Sequence, residues 1–308
     1  MHKNQITAIL TLKDRSYYTE RWFHSNYSKK INYIIADGSQ SKKNQLFFYK
    51  NKKENIAYIK YCPDKKPHDF ILKVYKSIKL VKTKYFFLCD NDDFINLKHI
   101  DLIHSKMSFT KSELFGFQLK SLSERFCSKT NRFFFSSWYS TGNQKQFDAL
   151  SAKQKLLVCF KSYNHFWYNI FSRKSGLRLW KIILNLKIQN LYALEIVQSL
   201  LSISLLKYKY LPVTHYARIN NSKQSFAKSF NKKASVFDSA ILNSKFQNDI
   251  GKLKKYIISH KICTVNEFDS GFKTFLLKQV RITGILQGKI SYIRAKALSL
   301  LCLKTTVF

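Results

Sequence analysis

The 308-residue chain predicts an α/β fold: a mainly parallel sheet flanked by helices, with a C-terminal helical extension. Three observations predict it. Short apolar runs alternate with helical periodicity through the first hundred residues, the pattern of a wound parallel sheet. Polar residues cluster where those runs stop, and in open parallel sheets ligands sit beyond the carboxyl ends of the strands. From about residue 225 the strand pattern gives way to basic helical periodicity. The expected division is a main domain over residues 1–224 and an extension over residues 225–308.

The elements follow in order. Residues 6–12 are a β-rich apolar run and residues 17–27 carry polar and aromatic side chains at helical spacing. Residues 31–36 read as a second buried strand, closed by Asp37-Gly38-Ser39, and residues 57–61 as a third. Apolar residues at 71, 74, 75, 78 and 81 form a helical stripe within residues 70–81. Residues 85–89 are a fourth apolar run that stops at Asp90. In the middle, residues 114–119 and 132–138 read as strands and residues 148–160 as a helix. The aromatic stretch 166–171 is expected to line a pocket. Residues 191–206 form a helix and residues 209–213 a short strand, with a polar loop at 217–222. In the extension, Phe272, Phe275, Leu276 and Val280 share one helical face, and Ile290, Ile293, Ala297 and Leu301 repeat the pattern among Lys and Arg. Such helices either pack on the main domain or lie on an anionic membrane.

Composition narrows the function classes. The chain is 45% hydrophobic and 16% aromatic, enough for a packed core and too much for disorder. With 8 Gly and neither a GxxxxGK[ST] nor a GxGxxG motif, it lacks the signatures of P-loop and dinucleotide-binding proteins. Lys and Arg number 54 against 18 Asp and Glu, a net charge of +36. A field of that sign attracts polyanions, although joint enrichment in Lys, Asn, Ile, Phe and Tyr is also what an AT-biased genome writes. The 6 cysteines are scattered without a CxxC pair. That speaks against a zinc ribbon or disulfide framework and fits a reducing compartment. The N-terminus enters its first strand without an apolar leader and cleavage site, so no signal peptide is expected. The longest apolar stretch, residues 188–206, is broken by Asn190, Glu195 and Gln198 and reads as a core helix. The expected location is cytoplasmic, with peripheral contact at the inner face of the plasma membrane.

The strongest chemical signal is Asp90-Asn91-Asp92-Asp93 at the end of Tyr85-Phe86-Phe87-Leu88-Cys89. Carboxylates this close raise one another's pKa unless a cation compensates. Mg²⁺ and similar hard cations prefer oxygen ligands shared between carboxylates and substrate phosphates. Helix capping needs one Asp, not three. If the chain stays extended, Asp90 and Asp92 point to one side and Asp93 begins the turn. Glu195 interrupts an apolar helix, where burial would raise its pKa toward the range useful to a base.

The run 6–12 followed by Lys13-Asp14-Arg15, the segment Ile34-Ile35-Ala36-Asp37-Gly38-Ser39, and the strand ending in Asp90-Asn91-Asp92-Asp93 together resemble GT-A-fold glycosyltransferases, especially the inverting, family-two-like bacterial enzymes with a DxD-type motif. The resemblance covers residues 5–110 well and loosens up to about 225. It implies a nucleotide-sugar donor and a divalent metal, Mg²⁺ or Mn²⁺. It implies a glycan or lipid-linked acceptor, transfer with inversion, and a setting in surface polysaccharide or glycoconjugate synthesis. By the same resemblance Thr11, Arg15 and Asp37 contact the nucleotide. Asp90 and Asp92 serve ribose, metal and diphosphate, with Asp93 beside the reacting centre. Glu195 matches the acceptor-site acid, and with Asp93 makes up the catalytic candidates. His215 and Arg218 lie where such enzymes place a metal- or diphosphate-binding His and a cation for the leaving group. Tyr163 to Arg173, with His165, Trp167 and Tyr168, would floor the acceptor site. Two departures stand out: Ala36 and Ile196 occupy positions where these enzymes commonly carry acids.

Three other readings compete. A basic RNA- or membrane-binding module explains the charge but not the clustered acids, and no nucleic-acid partner is expected. A sugar-nucleotide pyrophosphorylase would carry glycines after its first strand, and Leu12-Lys13-Asp14-Arg15-Ser16 has none. An inactive transferase-like protein would fit the missing acids at 36 and 196.

Overall fold

The structure is a computed structural model that describes residues 5–127, 132–138, 144–220 and 243–284. Nine strands form one sheet. They are β1 (Ile6–Leu12), β2 (Asn32–Asp37), β3 (Ile56–Lys60), β4 (Tyr85–Asp90), β5 (Phe94–Ile95), β6 (Leu114–Cys127), β7 (Arg132–Trp138), β8 (Ile170–Ser172) and β9 (Tyr208–Asn220). Their order is β3-β2-β1-β4-β8-β6-β9-β5, with β7 paired to β6. The first four are parallel. Beyond β4 the sheet is mixed: β8 is antiparallel to β4 and β6, β9 is parallel to β6, and β5 is antiparallel to β9.

The period-two alternation of the inner strands sends side chains to two separate cores. On one face Ile9, Ile34, Ala36, Phe86 and Leu88 meet α3 (Pro67–Leu80), α5 (Ala152–Lys161), α6 (Arg173–Asn185) and α7 (Leu191–Leu205). On the other, Ala8, Leu10, Tyr33, Ile35, Phe87 and Cys89 meet α1 (Ser16–Asn26), α2 (Lys43–Lys50) and α4 (Ile100–Ser108). The expected strands and helices of the first ninety residues are therefore present. Helix α2 is an addition, because its run Lys-Asn-Gln-Leu-Phe-Phe-Tyr-Lys has too short an apolar stripe to signal itself.

Strand β9 differs most from expectation. It runs to Asn220 through the segment read as a polar loop, and its pairing with β6 is irregular. Gln118 and Leu119 on β6 face Thr214 and Tyr216, so His215 is the extra residue of a bulge. A second irregularity, between Gly116 and Gln118, spans Pro212, which has no N–H to give the ladder.

The last described stretch supplies α8 (Ser244–Ser259) and α9 (Val265–Gly284). The apolar face of α9 packs on α5 and the loop after it: Phe268 and Phe272 lie edge-on against Phe160, and Phe275 against Tyr163. Asp249, fully buried on α8, accepts from the backbone N–H groups of Gln189 and Asn190 at 2.7 and 2.8 Å, ahead of α7. The face of α9 carrying Phe272, Phe275 and Leu276 is thus a core face and not a membrane face. The stretch 290–301 lies outside the described residues. Among the described residues, no helix is long and apolar enough to cross a membrane.

Candidate active site

The carboxyl ends of β2, β1 and β4 lie side by side. Thr11 is in register with Asp90, and Leu12 with Asp37. β4 ends at Asp90, and the chain then turns instead of staying extended. That turn brings carboxylate oxygens of Asp90, Asp92 and Asp93 within 4.8 Å of one another. Thr11 Oγ1 donates to Asp90 Oδ1 at 3.1 Å.

Arg15 reaches the same turn from the loop after β1. It and Asp14 adopt left-handed backbone, φ 55° and 58°, a conformation that costs a non-glycine residue about 1–2 kcal/mol. The loop is stitched in place: Asp14 Oδ1 accepts from the backbone N–H groups of Gln40 and Ser41, each at 3.2 Å. The strain aims the guanidinium at the carboxylates. Nη1 donates to Asp92 Oδ2 at 2.8 Å, and Nη2 to Asn91 Oδ1 at 2.7 Å. Burial works against the Arg15 charge, but Asp92 outweighs it and holds the group firmly protonated.

Two residues distant in sequence hold the other acids. The rings of Tyr168 and Tyr216 stack, centroids 4.4 Å apart and 14° from parallel. Tyr168 Oη donates to Asp90 Oδ2 and Tyr216 Oη to Asp93 Oδ2, both at 2.8 Å. The Ile219 N–H donates to Asp93 Oδ1 at 2.8 Å. Burial, then the carboxylates themselves, push both phenols well above their ordinary pKa, so they stay donors. Asp90 is raised by burial and by Asp92, and Asp93 well above its usual range by burial, Asp92 and Asp90. This cluster is short of positive charge, and its three hard-oxygen donors fit Mg²⁺ or Mn²⁺. Asp92 would have to share or release its contact with Arg15. Arg218, two residues beyond Tyr216 and open to solvent, is within electrostatic reach of Tyr168, Glu195, Asp93 and Asp90, and these keep it charged.

Other expected residues sit differently. His215 is not with the acids. The bulge turns it into the core between the rings of Phe87 and Phe117, where Nε2 meets the Tyr168 carbonyl at 2.6 Å. Burial, with His99, drives its pKa down to about 3. Asp37 is fully buried: Oδ1 accepts from the Ser39 N–H at 2.7 Å, and Oδ2 from Tyr58 Oη and from Lys60 Nζ at 3.2 Å. It lies beside the cleft but meets a nucleobase only by exchanging one of those donors. The aromatic stretch is mostly interior, not an open floor: Phe166 and Phe171 are buried, and Trp167 stacks on Phe70 against Trp180.

Glu195, on α7, pairs with His165 Nδ1 and lies within electrostatic reach of Arg218. Burial pushes its pKa up as expected. His165, by charge and hydrogen bond, and Arg218 outweigh burial and bring it down to about 2. The direction expected from sequence is reversed, because the partners of Glu195 come from segments 30 residues before and 23 after it, which helical periodicity cannot reveal. The sequence shows Tyr168 only as part of an aromatic stretch and carries no local sign of Tyr216, whose role depends on strand pairing and on its stacking with Tyr168.

No protein-family model matches the sequence, and no curated protein does. Solved structures do share its shape. S. aureus TarS residues 1–349 superposes with a TM-score of 0.57 at 11% identity, covering 96% of this chain and 80% of that fragment. The same TarS fragment in complex with UDP-GlcNAc gives 0.56 at 13% identity, with the same coverage. The fold of this chain is thus the GT-A-like α/β fold that it shares with TarS.

Proposed function

We propose that the protein is a nucleotide-sugar-dependent glycosyltransferase whose diphosphate site is the turn Asp90-Asn91-Asp92-Asp93. The observation that carries the reading is the convergence of three carboxylates at the end of β4, within 4.8 Å of one another. They stand beside Thr11 and face Arg15 and Arg218. The fold supports it too, since TarS binds UDP-GlcNAc on the same scaffold.

A divalent cation bound here would neutralise the departing diphosphate. Asp90, Asp92 and Asp93 are the residues to hold it. Thr11, Tyr168 and Tyr216 orient those carboxylates. Arg218 faces the same space and offsets charge as it develops on the leaving group. The acceptor, a glycan or a lipid-linked sugar, attacks the anomeric carbon in a single displacement with inversion. The net charge of +36 would favour a phosphate-bearing, lipid-linked acceptor at an anionic membrane surface.

The test is thermal stabilisation by UDP, GDP, CDP, ADP and dTDP, with Mn²⁺, Mg²⁺ or EDTA. At least one diphosphate is expected to raise Tm in the metal arms, and the gain should be lost in Asp92→Asn. No stabilisation by any of them, in a folded sample, would refute the reading. The Arg15–Asp92 pair favours a second version, in which arginines alone neutralise the diphosphate; equal stabilisation in EDTA would select it.

A further inference from the structure

On the transferase reading, the acceptor hydroxyl must lose a proton as it attacks. Glu195 is the carboxylate that the sequence resemblance offers for it, but the structure gives Glu195 another partner. Its Oε1 is paired with His165 Nδ1. The two side chains are 33% and 31% exposed, so the pair opens to solvent while staying anchored. The anchoring is extensive. Gln144 Nε2 donates to the His165 carbonyl at 3.0 Å, and the Tyr163 ring meets the imidazole edge-on at 5.0 Å. Tyr163 Oη in turn reaches the Glu195 carbonyl at 3.4 Å and Ser199 Oγ at 3.3 Å, fastening the loop before β8 to α7.

We propose that His165 is the catalytic base and Glu195 its positioning residue. Glu195 holds the Nδ1–H tautomer, which leaves Nε2 with its lone pair. That nitrogen makes no hydrogen bond to protein among the described residues. This is the division of labour of carboxylate–imidazole pairs in general: the carboxylate fixes the ring and stabilises the imidazolium as it forms. In the step itself, the acceptor O–H proton passes to His165 Nε2. The acceptor oxygen bonds to the anomeric carbon, and the bond from that carbon to the β-phosphate oxygen breaks, its electron pair leaving on the diphosphate. A Glu195 carboxyl at about 2 is by itself a poor proton acceptor at neutral pH. Its acidity follows from the pairing that would make the imidazole effective. The groups that face the imidazole are Glu195 from α7 and Tyr163 from its own loop, with Arg218 of β9 acting on Glu195.

The experiment uses the full chain with UDP-GlcNAc, UDP-glucose and UDP-galactose as donor probes and water as acceptor, reading UDP release from pH 5 to 9. UDP affinity is measured in parallel. His165→Gln is expected to lower kcat about 10²–10⁴-fold, with KM and UDP affinity within about threefold of the parent and partial rescue of His165→Ala by imidazole. Glu195→Gln is expected to retain part of the turnover and to change the acid limb of the profile, because the carboxylate that fixes the ring is gone. A merely structural pair would shift neither the limb nor the rescue. Undiminished kcat in a folded His165→Gln would overturn the assignment. So would a Glu195→Gln defect larger than that of His165→Gln with the pH profile unmoved. Nucleotide binding by the parent distinguishes these failures from failure of the transferase reading itself: no binding of UDP, GDP, CDP, ADP or dTDP sinks both, whereas intact binding with undiminished turnover in His165→Gln sinks the base alone.

Discussion

The parallel half of the sheet, β3-β2-β1-β4, and the mixed half, β8-β6-β9-β5, both supply residues to the acidic turn, but they contribute to it differently. In the parallel half the polar residues follow directly on buried strands: Thr11 and Arg15 after β1, Asp37 with β2, Asp90 to Asp93 after β4. Local sequence puts each at a strand end, and the parallel register gathers them. The mixed half supplies Tyr168 from a loop, Tyr216 and Arg218 from beyond a bulge, and Glu195 from a helix. The clustered acids come from the first half, and the hydroxyl donors that orient them largely from the second. Acids this close are tolerated because distant donors hold them.

The comparison can be broken in either half. The largest expected effect lies beneath the parallel half. Lys73 Nζ is buried, paired with Asp64, and donates to the Leu12 carbonyl at 2.9 Å, while the Asp64 N–H donates to the Gly38 carbonyl at 2.9 Å. The pair therefore props the loops on which Arg15 and Asp37 stand. Lys73→Met leaves a buried, uncompensated carboxylate and should lower stability by about 3–5 kcal/mol, read from urea unfolding. Lys73→Met with Asp64→Leu should recover much of that loss, and failure to recover would show that the pair does more than compensate charge.

Next comes the seam between the halves. Tyr216→Phe removes the donor to Asp93 and the acceptor for the Asp90 N–H at 3.0 Å. It should cost about 1–3 kcal/mol of stability and weaken nucleotide binding as well. If the parallel half alone positioned the acids, nucleotide affinity would be unchanged.

The smallest effect belongs to Glu195. Its folded pKa, about 2, is below the ordinary value of 4.5. A depressed carboxylate stabilises the fold above its unfolded pKa and loses that contribution as pH falls through the folded value. Glu195→Gln should therefore lower Tm modestly at pH 6. The deficit should shrink between pH 4.5 and 2, as thermal melts across that range would show.

These contrasts also explain what the sequence could reveal. The parallel half was legible because a buried strand and the turn after it are local features, and a carboxylate cluster after Tyr85-Phe86-Phe87-Leu88-Cys89 stands out without knowledge of its partners. The packing of α9 on Phe160 agrees with its apolar stripe, yet the stripe alone did not say what covers it. The mixed half was less legible for physical reasons. Pro212 and the bulge at His215 break the alternation that identifies a strand, so the sequence shows only a short strand at 209–213 before a polar loop, and His215 reads as a metal or diphosphate ligand when it is a core residue. Asp37 was found, but its partners Tyr58 and Lys60 on β3 are known only from the pairing of strands. The acidity of Glu195 depends on His165 and Arg218 in the same way.

The bond from the Ile219 N–H to Asp93 joins residues 126 positions apart. During synthesis, a chain extended only through β4 and α4 would already display all three acids, yet lack the tyrosines and the strand edge that hold them. Contacts this remote form late, since long loops must close first. Competence for the substrate would then arrive only after the ribosome has passed residue 220, and a truncated product ending before β9 should be unable to grip a diphosphate even if its first strands had paired.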